Sequence, residues 1–193
     1  MKQNLRIALL MTVVTTVLFG LFYPLAVTGL GQLLFPSQAN GGLIVKNGQI
    51  VGSRLIGQPF SSDSYFHGRP SAAGNGYDAI SVGGGASNLG PTNRQLLDRV
   101  KGDVEKLRAE NPSSPIPVDL VTTSGSGLDP DISPAGAEFQ IPRVARARHI
   151  SEAELRSLVA KHALGRQLGV LGEPRINVLE LNLDLDAQHP LSK

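Results

Sequence analysis

The sequence predicts a single N-terminal transmembrane helix followed by one extracytoplasmic α+β (mixed α/β) domain. No charged residue occurs between Arg6 and Lys46, whereas the rest of the chain mixes helical and strand patterns with Gly- and Pro-rich loops. The length of 193 residues fits one domain with one appended element. We therefore divide the chain into a cytoplasmic N-terminus (1–6), a transmembrane helix with its interfacial exit (7–34) and an extracytoplasmic domain (41–193).

The apolar segment from Ile7 to Leu30 is long enough to cross a bilayer. As a helix it covers roughly 36 Å, more than the hydrocarbon core of about 30 Å. Lys2 and Arg6 precede it, so the positive-inside rule places the N-terminus in the cytoplasm and the remaining chain outside. A cleaved signal peptide is the other interpretation, but its apolar region would be only about 7–15 residues long, and residues 26–28 make a poor cleavage site.

Small side chains recur every four residues along the predicted span, at Ala8, Thr12, Thr16 and Gly20. In lipid such a stripe lets helix backbones approach closely, and threonine hydroxyls bond to carbonyls of their own helix or to a neighbour. The stripe predicts packing against partner helices, although an anchor helix also tolerates these residues anywhere. Pro24 predicts a kink near the outer interface.

The domain begins with a predicted hairpin and a long loop. Leu43–Lys46 and Gln49–Val51 flank Asn47-Gly48, a dipeptide typical of two-residue hairpin turns. The Gly-, Ser- and Pro-rich stretch 57–91 follows, and a loop of this length is usually functional or wrapped around something.

Helices and short strands are predicted after this loop from capping residues and hydrophobic periodicity. Pro142 lies inside the second helix and predicts a kink or an early end. The predicted elements are a helix capped by Thr92 and Gln95 and ending at Asn111, a strand Val118–Thr122, a helix from Ser133-Pro134 towards His149, a helix capped by Ser151 and Glu154 and running towards Gly165, and a strand Leu179–Leu185.

Composition excludes several classes of function. The chain has 18 basic and 16 acidic side chains, a formal charge of +2 and no basic run, so nucleic-acid binding is unsupported. Cysteine is absent, which excludes disulfides, thiolate metal sites and cysteine nucleophiles. The four histidines are not spaced as metal ligands, and we predict no metal site.

One serine keeps an alternative function open. Ser126 lies between two glycines, but a nucleophile elbow needs glycines two residues away on each side. Asp119 and Asp129 are candidates for an acid–base pair, although nothing in the sequence brings them together. A turn accounts for this loop better, so we predict no catalytic residue. A membrane-anchored extracytoplasmic serine hydrolase is the alternative.

Two glycine-rich loops, 83–91 and 124–130, precede predicted helices. Amides at a helix start can bind phosphate, but neither loop has the lysine of a phosphate-binding loop, and tight turns explain the glycines better. Arg143, Arg146 and Arg148 predict a basic edge on the second helix that faces solvent or a partner.

Several blocks of residues follow one another in the order of a known family. They are Tyr23-Pro24-Leu25, Gly52-Ser53-x-Leu55-Ile56-Gly57-Gln58, Tyr65-Phe66-x-x-Arg69-Pro70-Ser71-Ala72, Ser87-Asn88-Leu89-Gly90-Pro91, Ser124-Gly125-Ser126-Gly127-Leu128-Asp129-Pro130 and Leu171-Gly172-x-Pro174-Arg175-x-Asn177. Together they resemble the C subunit of the Kdp-type potassium-transporting P-type ATPases. One departure is the segment 82–86, which is looser than the compact Ser-Gly-Gly of that family and weakens a phosphate-binding role.

The resemblance implies an accessory, non-catalytic subunit of an ATP-driven, high-affinity potassium pump in the bacterial inner membrane. The implied partners are a channel-like potassium-selecting subunit, a P-type ATPase subunit and a very small membrane peptide. ATP and potassium act at the level of the complex, and no cofactor is expected on this chain. The resemblance also implies a catalytic chaperone that raises the ATPase subunit's nucleotide affinity, with Gln140 and Arg143 matching the proposed nucleotide contact.

The charge pattern conflicts with that contact, because ATP is cytoplasmic and Lys2 and Arg6 place the domain outside. We therefore expect the domain to rest on the outer mouth of the channel-like subunit. There Asp63 and Asp78 are candidates to influence potassium entry.

Overall fold

The computed structural model describes residues 1–80 and 85–191. The chain divides into two compact units, residues 1–51 and 52–193, which we describe separately. The start of the first glycine-rich loop and most of segment 82–86 lie outside the described residues.

The first unit contains one uninterrupted helical stretch, Lys2–Leu34, in which no residue is buried within the chain. It is long and apolar enough to cross a membrane. Helix α1 (Lys2–Thr15) leads into a π-helical segment (Thr16–Phe22), and helix α2 (Tyr23–Leu34) completes the stretch. The predicted apolar span is therefore confirmed as a helix.

The helix accommodates Pro24 without ending. Proline has no amide hydrogen for the α-helical ladder, and π-helical turns are a common place to absorb such a defect. The amide of Tyr23 donates to the carbonyl of Leu18, five residues earlier, instead of to the carbonyl four residues earlier. Closer to the N-terminus, the Thr12 hydroxyl donates to the Ala8 carbonyl at 2.9 Å, so the hydroxyl of this stripe residue has its hydrogen-bond partner within its own helix.

A short helix α3 (Pro36–Ala39) and a hairpin follow. Strands β1 (Leu43–Lys46) and β2 (Gln49–Ser53) pair with each other. Asn47 and Gly48 both have positive φ angles, of 53° and 76°, which suit a two-residue hairpin turn. This confirms the predicted hairpin.

The core of the second unit is formed by three helices and a small sheet. The helices are α5 (Pro134–Arg148), α6 (Glu152–His162) and α7 (Val178–Gln188). Strands β3 (Asp131–Ile132) and β4 (Ile176–Asn177) pair antiparallel beside them. The fully buried side chains at the centre of this core include Phe66, Ile141, Val144, Leu155, Ile176, Leu181 and Leu185.

The predicted starts of α5 and α6 are confirmed. The Ser133 hydroxyl accepts a hydrogen bond from the Gly136 amide, and Ser151 and Glu154 form a complete capping box. Pro142 does not end α5, which continues to Arg148. Helix α6 ends at His162.

One helix boundary and two strand predictions from the sequence were wrong, and the second strand is described in the next paragraph. Helix α4 (Arg94–Glu110) is capped by Asn93, whose side chain accepts from the Gln95 amide, and not by Thr92. Residues Val118–Leu120 form a 3₁₀ turn instead of a strand. There the Thr122 hydroxyl bonds the Val118 carbonyl, a local contact that competes with extended structure.

The segment 179–185 is helical, and not the strand that its alternating leucines predicted. Asn177 caps α7 by accepting from the Glu180 amide. Val178, Leu181, Asn182 and Leu185 are buried at the spacing of one helical face, and Leu179 is buried at the edge of that face. After Val178 the helix contains no β-branched residue, so intrinsic propensity also favours the helix.

Candidate functional site

Arg143 of α5 holds the long loop against the helical core. Its guanidinium donates to the backbone carbonyls of Asp63 at 2.7 Å and Tyr65 at 2.9 Å. It also bonds the Glu110 carboxylate at 2.9 Å and the Gln140 side-chain oxygen at 2.7 Å. The residue is 7% exposed, so the prediction that it lies on a solvated edge was wrong. The sequence of α5 alone could not show this burial, because the carbonyl acceptors belong to a loop about 80 residues earlier.

Arg148, one turn later, anchors the same loop and the end of α7. Its guanidinium bonds the carbonyls of Ser64 at 2.7 Å and His189 at 2.8 Å, and the Asp186 carboxylate at 2.7 Å. It also lies 4.7 Å from the centre of the Tyr65 ring, in cation–π geometry. Burial, together with the neighbouring Asp186 carboxylate, raises the pKa of Tyr65. Of the three predicted arginines, only Arg146 is exposed.

Two buried amide side chains pair with the loop backbone as a neighbouring strand would. Gln140 accepts from the His67 amide at 2.7 Å and donates to the His67 carbonyl at 3.0 Å. Asn182 of α7 does the same with Phe66, at 2.9 Å in both directions. Gln140 also donates to the Gly136 carbonyl at 3.1 Å, so its oxygen and nitrogen are each bound twice within the protein. These contacts agree with one of the two alternatives that the length of the loop left open, namely that it wraps around another element.

A cleft of about 390 Å³ opens beside Gln140, between the loop and α4. Burial, and then the nearby Arg143 cation, lower the pKa of His67 at this cleft. Burial raises the pKa of Tyr77 to about 12, with the Asp129 carboxylate adding to the effect. Both side chains are therefore neutral near pH 7. The other side chains lining the cleft include Phe60, Arg69, Asp103, Lys106, Leu107, Glu110 and Leu120.

The rim of the cleft depends on a serine that the sequence did not single out. The Ser71 hydroxyl donates to the Gly127 carbonyl at 2.6 Å and accepts from the amides of Ala73 and Tyr77. Tyr77 has a φ of 57°, unusual for a bulky residue, and its hydroxyl donates to the Arg69 carbonyl at 2.7 Å. In the sequence, this region was marked only by the family block that contains Arg69 and Ser71.

The two glycine-rich loops meet backbone to backbone. A Cβ atom added to Gly85 would collide with the Ser126 carbonyl, and one added to Gly127 would collide with Gly85. Gly127 also has a φ of 67°. Gly127 thus fits the predicted tight turn, whereas Gly85 is required by the close approach of the two backbones, which the sequence did not predict. Ser126 accepts from the Leu128 amide at 3.1 Å, a turn contact within its own loop.

The two candidate carboxylates of the hydrolase alternative have separate structural partners. Asp119 accepts from the Ser133 amide at 2.8 Å and from its hydroxyl at 3.0 Å, supporting the start of α5. Asp129 pairs with Arg69 at 2.8 Å. Neither hydrogen-bonds Ser126 within residues 1–80 and 85–191, so the geometry supplies no acid–base pair for it.

The candidate potassium-entry residues Asp63 and Asp78 are both exposed. Asp63 contributes its backbone carbonyl to Arg143, which leaves its carboxylate in solvent, and the Asp78 carboxylate accepts from the Ile80 amide at 3.0 Å. Within the described ranges, no cluster of three or more His, Asp or Glu side chains is arranged to hold a metal ion.

Comparison with known proteins identifies the family. The model of the KdpC family, described as the c chain of the K⁺-transporting ATPase, matches residues 5–187. The chain belongs to the KdpC family. Three curated relatives, each named potassium-transporting ATPase KdpC subunit, match along nearly their whole length. They come from Koribacter versatilis (63% identity, 99% of this chain and 98% of the relative), Methylobacterium nodulans (59%, 96% and 98%) and Rhodopseudomonas palustris strain BisB18 (56%, 97% and 99%).

The KdpC assignment confirms the resemblance found in the sequence blocks. The apolar helix Lys2–Leu34 fits the membrane anchoring expected of such a subunit. Stripe residues Ala8, Thr12, Thr16 and Gly20 all lie in the KdpC transmembrane stretch, where their role in helix packing stays a prediction.

Proposed function

We propose that this KdpC chain is a non-catalytic, single-pass accessory subunit of an ATP-driven potassium uptake pump. The observation that carries the proposal is the apolar helix Lys2–Leu34, with no buried side chain, in a chain matching KdpC over residues 5–187. An apolar helix with no buried residue is stable only when lipid or other membrane helices cover it. The expected partners are the channel-like potassium-selecting subunit, the P-type ATPase subunit and the small membrane peptide.

The folded domain lies outside the cytoplasm in this proposal. Lys2 and Arg6 are the charges preceding the span, and the first charge after it is Lys46. The positive-inside rule counts basic residues near the ends of a span and so favours a cytoplasmic N-terminus. The domain would then rest on the outer mouth of the potassium-selecting subunit, where the exposed carboxylates of Asp63 and Asp78 raise the local cation concentration.

An effect on nucleotide affinity would then be indirect. ATP is on the opposite side of the membrane, and Gln140 and Arg143 use their side chains to hold the loop. Breaking those contacts to bind a nucleotide would leave buried polar groups unpaired, which is costly. We infer that the subunit raises nucleotide affinity of the ATPase subunit by stabilising the assembled pump.

Reporter fusions to the C-terminus of the full chain test the orientation. Alkaline phosphatase, active only outside the cytoplasm, should be active, and a fluorescent protein that matures only inside should stay dark. A matched variant with Lys2→Gln, Arg6→Gln and two lysines placed after residue 34 should reduce phosphatase activity, because the charge bias is reversed. An inactive phosphatase fusion together with a fluorescent fusion that lights up, both made with the native chain, would overturn the proposed orientation.

A further inference from the structure

An unusual hairpin projects from the helical core between α6 and β4. Leu164 and Arg175 pair through two backbone hydrogen bonds of 2.8 and 2.9 Å, and Gln167 pairs with Leu171 in the same way. We call residues 164–175 the apolar hairpin. It continues directly into β4, where Ile176 is fully buried, so its base rests on the core.

The tip of the apolar hairpin is exposed to solvent. Leu168 is 90% exposed, and Val170 is 73% exposed. Leu164 and Leu171 are also exposed, so four large aliphatic side chains share one short projection. Single exposed apolar residues need no explanation, but a contiguous apolar projection on a folded domain indicates an interaction site.

Backbone strain coincides with this exposed tip. Leu168 has a φ of 53° and Gly169 has a φ of 76°. Glycine, asparagine or aspartate would adopt the first of these conformations at lower cost, whereas a bulky leucine is unfavourable there. The residue therefore serves neither the stability of the turn nor the solubility of the domain. Strained residues of this kind are associated with binding sites.

The charges of the hairpin indicate which kind of partner fits it. Arg166 pairs with the Glu173 carboxylate at 2.7 Å, and Arg175 pairs with Asp131 of β3 at 3.0 Å. Both cations are neutralised, so the hairpin presents no excess positive charge to anionic lipid headgroups. An apolar, neutral and convex tip is complementary to an apolar, uncharged and concave protein surface.

A second copy of this chain is the competing occupant. The cleft of about 390 Å³ beside Gln140 is lined by apolar side chains such as Phe60 and Leu107 as well as by charged ones. The cross-linking experiment below distinguishes a second copy from a pump subunit.

We propose that the apolar hairpin is a docking element whose tip, led by Leu168, inserts into an apolar pocket of a partner subunit of the pump. This inference rests on the proposed function, because it takes such a subunit to be present beside the domain. Leu168 acts as the anchor side chain, and Val170, Leu171 and Leu164 exclude water around it.

Two substitutions at Leu168 separate docking from folding. Leu168→Asp and Leu168→Asn both suit a positive φ better than leucine, so the domain should keep or gain stability in each. Both remove the apolar anchor, and we expect the yield of assembled pump, purified in detergent with the full-length chain, to fall by about tenfold or more. Val118→Asp is the matched control, because Val118 is 71% exposed on the same domain, and its yield should stay within about twofold.

Photo-cross-linking identifies what covers the tip. Benzoylphenylalanine at position 168 in the purified pump should form an adduct with another pump subunit, and the same probe at position 118 should not. Normal assembly of both Leu168 variants, or adducts at position 168 only with lipid or with a second copy of this chain, would overturn the inference. If the native chain itself failed to co-purify with pump subunits, the proposed function would fail instead.

Discussion

The side-chain amide of Gln140 hydrogen-bonds both backbone groups of His67, at 2.7 Å to its amide and 3.0 Å to its carbonyl. A helix residue thereby takes the place of a neighbouring strand for a loop 73 positions earlier in the chain. The same Gln140 oxygen orients Arg143, which binds the next part of the loop. The loop is thus held by helix side chains where other domains use a sheet.

Gln140→Leu should detach this part of the loop. The change keeps similar volume but leaves the His67 backbone groups and one Arg143 nitrogen without partners, at about 1–3 kcal/mol for each buried group. We expect a lower free energy of unfolding and faster hydrogen–deuterium exchange at residues 63–68 in the full-length protein in detergent. Gln95→Leu, at an exposed position of α4, is the control. Native exchange rates combined with a higher KM for ATP in the assembled pump would instead favour a direct nucleotide contact.

Arg148→Lys should be far from conservative. Lysine keeps the charge but cannot present a planar fork to Ser64, His189 and Asp186 at once. We expect a loss of about 2 kcal/mol in the free energy of unfolding, as is common when a buried network is broken. Arg146→Lys, two residues away on the exposed side of α5, should change it by less than about 0.5 kcal/mol. Equal effects of the two substitutions in thermal denaturation would refute the anchoring role of Arg148.

Local signals in the sequence predicted the elements whose geometry is decided within a few residues. Asn47-Gly48, Ser133-Pro134 and the Ser151–Glu154 capping box all work through neighbours in the chain. The alternating leucines after Asn177 predicted the wrong element because alternation in so short a run does not exclude a helix, and the buried face here combines Leu181 and Leu185 with Val178 and Asn182.

The candidate site was less accessible to sequence reasoning because distant segments build it. Arg143 and Arg148 are spaced like a solvated helix edge, and their burial depends on carbonyls about 80 residues earlier. A buried glutamine at 140 is likewise indistinguishable in sequence from a surface one. Only the loop's length suggested that it wraps around the helices, and length does not identify the residues that hold it.

Charge neutralisation at the loop surface tests the proposed position over the potassium entrance. The double variant Asp63→Asn, Asp78→Asn removes two exposed carboxylates and leaves the Asp63 carbonyl free to bind Arg143. If the domain caps the entrance, the apparent potassium affinity of the assembled pump should fall about two- to tenfold, most at low ionic strength. Glu105→Gln with Asp98→Asn, on exposed positions of α4, is the matched control. An unchanged potassium dependence at low salt would argue against this placement.

Stability should decrease as the pH falls below about 6.5, in part because of His67. Burial and Arg143 lower its pKa in the folded protein, while the hydrogen bond to the Ser62 carbonyl and then the Glu110 and Asp63 carboxylates oppose that shift. The unfolded chain therefore binds a proton first, and stability is lost between the unfolded pKa and the lower folded one. His67→Gln should flatten the dependence of unfolding free energy on pH between 7.5 and about 5. An equally steep profile for His67→Gln would exclude His67 as its source.

His149→Gly should stabilise the domain. His149 follows α5 in the left-handed region, with a φ of 57°, and its amide donates to the Ala145 carbonyl. Glycine is favoured at this position because it has no Cβ atom to crowd the following carbonyl. We expect an increase of about 0.5–1 kcal/mol, after allowing for glycine's greater freedom in the unfolded chain. Arg146→Gly, inside the same helix, should instead lower stability by about 1 kcal/mol. Thermal denaturation of the three proteins, followed through the environment of the tyrosines, decides the matter: if both glycine variants melt below the native protein, the backbone at position 149 is not under strain.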